Sequence, residues 1–444
     1  MDVEPASAAP SVQPLTTPAA DSTPSSAVTP TTVAVPVDDK AARPKFARIE
    51  GLDGVRGLGC LAVIVGHVTH FYSPHTHQEA MLQLLGIALI LFFALSGFLL
   101  FLPYLRRLMA DKSKLRMPDT RDFALHRIFR VFPGFLVIFL ICNYVFRAVY
   151  VQNPATIKEG TDVGSGMITD PGQLIANLTL TQTYFPQYIQ TGINPAWSLT
   201  LEIAFYVSLP LLGFLLFWLR RRTSLQPLLI ACVAPAILFT LGIVGRLLAP
   251  PIMASAHVTT TELLNWGPNW SAVYLRCFLS NADMFAYGML AAILFVAVEQ
   301  QVVGPKIRRW ARTVCAVALI PGFVVVMFSG PTVFFTSAVA AFSALFIYVV
   351  IGPLALHKDS RLARIMDYKP FWYVGLVSLS AYLWHYPVIL LLGRYGWAGG
   401  DTWGGMLWNT FITLAVTMTL ATITYYLVEK PALASVKRFT PRKK

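Results

Sequence analysis

Beyond residue 45 the chain repeats one pattern: continuous apolar runs, each closed by a short polar joint. A helix that crosses a bilayer needs about 20 apolar residues. Ten runs qualify, at 56–73, 82–104, 130–150, 197–218, 225–247, 273–298, 313–329, 333–356, 371–393 and 405–428. Their hydrophobicity is unbroken instead of alternating, which argues against a closed β-barrel. The pattern predicts an all-α, polytopic membrane protein. Residues 1–45 depart from it, being rich in Pro, Ala, Ser, Thr and Val and nearly devoid of aromatic residues. Such a segment cannot bury enough apolar surface to offset its ordering entropy. We read 1–45 as a disordered tail, 46–434 as the membrane domain and 435–444 as a basic tail. No apolar stretch with a small-residue cleavage site follows the first Met, so no signal peptide is expected. The joint at 151–196 is the longest on its side, and reads as an ordered cap or a partly re-entrant segment.

Composition agrees. Of 444 residues, 55% are hydrophobic and 13% charged, where a soluble domain carries about 25% charged residues. Mean hydropathy is +0.59. A soluble globular enzyme and a mainly disordered chain are excluded. The net charge of +13 fits either nucleic-acid binding or membrane topology, and the positions decide between them. Of 35 Lys and Arg residues, 29 sit before Arg56, at 106–130, 220–222, 306–312 and 358–369, and after span ten. Those are alternate joints. Positive residues gather on the cytoplasmic side, so both termini are placed in the cytoplasm of a plasma-membrane protein, with no nucleic-acid partner. Cys60, Cys142, Cys232, Cys277 and Cys315 lie in apolar runs without CxxC spacing, and read as small hydrophobes.

Ionisable residues inside spans are costly and mark function. His67 lies eleven residues beyond Arg56, about 16 Å deeper at a helical rise of 1.5 Å per residue. That is near mid-membrane, where a neutral imidazole can take a hydroxyl proton. Glu202, near the start of span four, should face the bundle and meet a cation or a substrate hydroxyl, with Trp197 and Tyr206 as interfacial residues. Arg276 and Asp283, seven residues apart in span six, share a helix face and read as an ion pair. Ser96-Gly97 permits close helix approach. His385, two residues before Pro387, is placed at the outer mouth. Arg127 and Arg130, i,i+3 in the joint entering span three, join Arg106 and Arg107 to grip a phosphorylated ligand or anionic lipid. His67, His70, His75 and His77 lack a carboxylate at helical spacing, so no metal is expected. No Walker loop or GxGxxG element is present.

Taken in order, these blocks resemble the acyltransferase-3 family of multipass membrane O-acyltransferases. Arg56, ten residues and His67 are similar to that family's Arg-x10-His element, and Phe92–Phe98 to its phenylalanine-rich SGF segment. Arg127-x-x-Arg130 is similar to its RxxR element, and Trp197-Ser198-Leu199 with Glu202 to its WSLxxE block. Tyr382-Leu-Trp384-His385-Tyr-Pro387 and Glu429-Lys430-Pro431 resemble its C-terminal signature. The resemblance runs over roughly 48–434. It implies that cytoplasmic acyl-CoA, usually acetyl-CoA, donates its acyl group to a hydroxyl of an envelope carbohydrate or glycolipid. It also implies that Arg56 and His67 are the catalytic pair and that Glu202 orients the histidine or the acceptor. Arg127 and Arg130, with Arg106, would hold the CoA end. The acceptor would draw on Ser96, Trp197, Ser198 and Tyr206, and on Arg276, Asp283 and His385. Ala204 stands where many members carry a further polar residue. Only 16 residues follow span ten, so no hydrolase-like extension is expected and the acceptor leans toward a lipid-linked sugar of the trehalose-mycolate type. The competing expectation is a transporter or flippase whose intramembrane charges relay protons, although no internal repeat supports one.

Overall fold

In a computed structural model, residues 48–157, 161–258, 260–330 and 332–439 are described. The tail expected at 1–45 and residues 440–444 of the expected basic tail lie outside them; 430–439 is helical. Among the described residues, ten helical segments are long and apolar enough to cross a membrane. Their main helices are α1 (Leu52–Tyr72), α2 (Ala88–Leu108), α3 (Thr120–Leu140), α4 (Trp197–Arg222) and α5 (Pro227–Leu247), followed by α6 (Ala282–Glu299), α7 (Pro305–Phe328), α8 (Phe335–Ile351), α9 (Lys369–Arg394) and α10 (Trp403–Thr424). The ten expected spans are all present.

Three helix starts differ from expectation by eight residues or more: α7 opens at Pro305 and not at 313, and the other two bear on the site. Helix α3 opens well before residue 130, because the Asp119 carboxylate accepts from the Arg121 and Asp122 N–H groups and caps it. Arg127 and Arg130 therefore stand within a helix and not in a joint. The span expected at 273–298 is broken: the helix Trp270–Arg276 stops, and the Asn281 side chain donates to the Leu275 and Cys277 carbonyls before α6 begins. In the joint between α3 and α4 the described residues form short regular elements. It contains a π-helical turn at Ile141–Phe146, a two-residue antiparallel ribbon (149–150 with 165–166) and a helix at Pro171–Leu178.

Helices α2 and α6 form the inner wall, where Phe205 of α4 stacks on Phe285 with ring centroids 4.3 Å apart. The outer helix α7 exposes Val314, Ile320 and Phe328, as a lipid-facing helix should. Helices α1 and α9 approach through glycine. A Cβ on Gly57 would overlap the Phe371 carbonyl oxygen, and one on Gly375 the Asp53 carbonyl oxygen. These two helices carry the candidate site.

Candidate active site

His67 of α1 meets His385 of α9 at 2.8 Å, Nδ1 to Nε2, with the rings nearly parallel and their centroids 5.1 Å apart. His385 is fully buried, and its Nδ1 lies 2.6 Å from the Tyr382 carbonyl oxygen. A carbonyl can only accept, so His385 Nδ1 carries a proton and Nε2 is an acceptor. The contact is then a donation from His67 Nδ1–H, and His67 Nε2 keeps its lone pair. Tyr386 packs edge-on against both rings. His67 lines a cavity of about 640 Å³ together with Tyr386, Trp197, Trp266 and Arg276. The site thus presents one imidazole nitrogen, fixed as a proton acceptor, beside a space large enough for a sugar.

Several expectations are corrected by this geometry. Helix α1 runs from Leu52 to Tyr72, so His67 stands about 22 Å along it from the Leu52 end. His385 is not at the mouth but behind His67. Arg56 does not reach His67: its guanidinium holds the Gly375 carbonyl at 2.9 and 3.0 Å and pairs with Asp53 at 2.7 Å. It lies within electrostatic range of Arg130 and Glu429. Glu202 does not orient the histidine. Its two oxygens accept from the Ser96 hydroxyl at 3.0 Å and the Tyr206 hydroxyl at 2.7 Å, which makes Tyr206 part of an internal network and not an interfacial belt residue. Ser198 donates to the Pro195 carbonyl and shares a 2.9 Å hydrogen bond with Tyr382. It steadies the α9 segment that carries His385.

The expected Arg276–Asp283 pair is absent. Asp283 pairs with Arg246 of α5 at 2.9 and 3.3 Å, and the third arm of Arg246 donates to the Val333 carbonyl. The break after residue 276 explains this, because Arg276 and Asp283 do not share a continuous helix face. Arg276 instead lies 3.4 Å from the Trp266 ring centroid and 5.3 Å from that of Trp197.

The arginines gathered at 106–130 differ in their partners. Arg106 pairs with Glu299 at 2.6 Å, which opposes its expected place on a donor phosphate. Arg130 pairs with the buried Glu429 at 3.2 Å, and Glu429 also accepts from Ser380. Arg127 leans on Phe123 and Tyr206 at 6.0 and 5.9 Å, and its buried Nε has no hydrogen-bond partner. Arg127 is thus the arginine of this group with an unfilled donor, the chemistry that suits an oxyanion. Among the described residues no group of three or more His, Cys, Asp or Glu is placed to hold a metal. All five cysteines are free thiols, with Cys60, Cys142 and Cys315 buried.

Sequence reasoning missed Gln190, Asn194, Asn265 and Trp266, which line the cavity from the irregular segments flanking α4 and preceding α6. Those segments carry no periodicity. The only signal was their unusual content of Asn, Gln and Trp.

Comparison with known proteins agrees with the motifs. The acyltransferase-3 family profile, described as an acyltransferase domain, matches residues 49–426. The O-acetyltransferase OatA of Staphylococcus aureus is 25% identical over 413 residues, covering 88% of this chain and 58% of OatA. The acyltransferase MdmB of Streptomyces mycarofaciens is 26% identical over 418 residues, covering 90% of this chain and 95% of MdmB. A putative peptidoglycan O-acetyltransferase, YrhL of Bacillus subtilis, is 24% identical over 397 residues, covering 86% and 54%. The chain therefore spans little more than half the length of OatA and YrhL. No solved structure matches significantly. With most of its length matched by the profile, this multipass membrane protein belongs to the acyltransferase-3 family.

Proposed function

We propose that the protein is a membrane O-acyltransferase, moving an acetyl group from acetyl-CoA to a hydroxyl of an envelope carbohydrate or glycolipid at the plasma membrane. The carrying observation is the His67–His385 pair, which leaves His67 Nε2 as an acceptor at the wall of a cavity. The arginine-rich face is taken as cytoplasmic, with both termini there, and Arg127 receives the CoA phosphates on that side, with Arg130, paired to Glu429, one helical turn away. The acceptor hydroxyl gives its proton to His67 Nε2 as its oxygen bonds to the thioester carbonyl carbon. The C–S bond then breaks, and the departing thiolate takes the proton from His67. Arg56 is a positioning residue that ties α1 to α9.

The test is purified protein in nanodiscs with acetyl-CoA labelled in the acetyl group and an envelope carbohydrate fraction. Label should enter the carbohydrate with wild type and not with His67→Ala. No transfer by wild type, or full transfer by His67→Ala, overturns the reading. Flux of unmodified carbohydrate without CoA release would instead assign a transporter.

A further inference from the structure

The donors that lack partners around the cavity indicate what it holds. Arg276 lies over the Trp266 indole with the Trp197 indole close by, and its buried Nε has no hydrogen-bond partner. Its backbone contact, to the Leu275 carbonyl, is a long 3.5 Å. The carboxylate that would neutralise it, Asp283, is fully engaged by Arg246. Glu262 also lines the cavity and is not among the groups in contact with Arg276. On the same wall Gln190 is buried, and its carbonyl is used by the Asn194 amide at 2.8 Å, yet its own Nε2 donates to nothing. Thr336 adds a buried hydroxyl with no partner.

A buried donor without an acceptor costs about 1–3 kcal/mol, and a buried cation costs more unless an anion faces it. Two of these three groups can only donate, and one of them is charged. The ligand that relieves them is rich in oxygen and carries a negative charge. The amides of Asn194 and Asn265, and the Tyr386 ring beside His67, suit the hydroxyls and faces of a sugar.

We infer that the acceptor is an acidic carbohydrate, whose carboxylate or phosphoryl oxygens bind Arg276 and Gln190 while a hydroxyl of the same molecule faces His67 Nε2. This rests on the acyltransferase reading and narrows it: a neutral trehalose-mycolate-type glycolipid leaves Arg276 without an anion. The Trp266 indole covers one face of the guanidinium by cation–π contact.

Three probes test the inference: methyl glucuronide, glucose 6-phosphate and methyl glucoside, titrated onto the full chain in nanodiscs. Calorimetry and tryptophan fluorescence are the readouts, the latter because Trp197 and Trp266 flank Arg276. At least one anionic sugar should bind tenfold or more tightly than methyl glucoside, and the preferred one identifies carboxylate or phosphoryl as the natural group. Arg276→Gln should abolish the preference and keep the weak neutral binding, whereas Arg276→Lys should retain part of it. Equal affinity of wild type for all three probes overturns the inference without any variant, as does a preference that survives in Arg276→Gln. The underlying reading fails separately. Anion preference with no acetyl transfer leaves the binding site and removes the reaction, while His67-dependent transfer to neutral and acidic sugars alike does the reverse.

Discussion

Arg127 and Arg276 each lean on two aromatic rings, and each keeps a buried Nε without a hydrogen-bond partner, yet they occupy different levels of the bundle. Both touch α4, Arg127 at Tyr206 and Arg276 at Trp197, nine residues or about 13 Å apart along the helix. Behind Arg127, Tyr206 is hydrogen-bonded to Glu202, so a carboxylate lies one residue removed from the cation. Arg276 has two indoles beside it, and the Asp283 carboxylate is paired with Arg246 instead. A guanidinium in an aromatic seat is therefore not one kind of site. Its character depends on whether a carboxylate stands behind the ring, and this molecule shows both cases on one helix.

The comparison can be broken or sharpened by substitution. His67→Ala should have the largest effect, lowering kcat for acetyl transfer by about 10²–10⁴, the usual contribution of a general base. Sugar and CoA binding, measured by calorimetry, should persist, since neither arginine touches that ring. Asp283→Ala should follow, lowering unfolding stability by about 3–5 kcal/mol because it strands the buried Arg246. Arg276→Gln should shift the thermal midpoint far less; equal shifts would mean that Arg276 is a structural cation after all. His385→Phe should reduce kcat by about 10–100-fold with KM for acetyl-CoA unchanged, the cost typical of losing a partner that orients a functional imidazole. His385→Gln, which can still accept from His67 Nδ1, should recover part of the rate and the wild-type pH profile. Arg127→Ala should raise KM for acetyl-CoA by about tenfold, the loss of one charge-assisted hydrogen bond, and leave acidic-sugar affinity untouched. An equal loss in both would erase the distinction between the two arginines.

The smallest effect lies outside the bundle. The Asp401 carboxylate accepts from the Thr76 and His75 N–H groups and from the Thr76 hydroxyl, which hold its pKa below the usual aspartate value. A lowered folded pKa stabilises the fold above the unfolded value of about 4, and this contribution is lost as pH falls through the folded one. Hydrogen exchange of the 74–79 segment should quicken on acidification below pH about 4 in wild type. In Asp401→Asn it should be insensitive to pH there beyond the intrinsic rate. Acetyl transfer at neutral pH should not change.

How legible each part was follows from the range of the physics behind it. The ten spans could be read because hydropathy is local: a bilayer imposes about 20 apolar residues wherever the chain crosses. The early start of α3 was also written locally, in Asp119, but hydropathy outweighed the cap. The break before Ala282 was hidden because Cys277–Leu279 stay apolar across the point where the helix stops. Within the site, His67 stood out as an ionisable residue in an apolar helix. Its pairing with His385 did not, since the two are 318 residues apart and the contact depends on ring geometry that no spacing encodes. The same holds for Arg130 with Glu429 and Arg106 with Glu299. Asp283 shows the hazard of arguing from spacing: i,i+7 is a shared face only where the helix is unbroken.

Gly57 and Gly375 carry a consequence for the chemistry, although neither lies near the cavity. The closeness of the two imidazoles is gauged ten residues away on each strut, where hydrogen atoms stand in place of methyl groups. One added carbon there would wedge the struts apart, and the proton on His67 would lose the neighbour that dictates which nitrogen holds it. The arrangement of the two imidazoles is thus set partly from a spot outside the cavity lining.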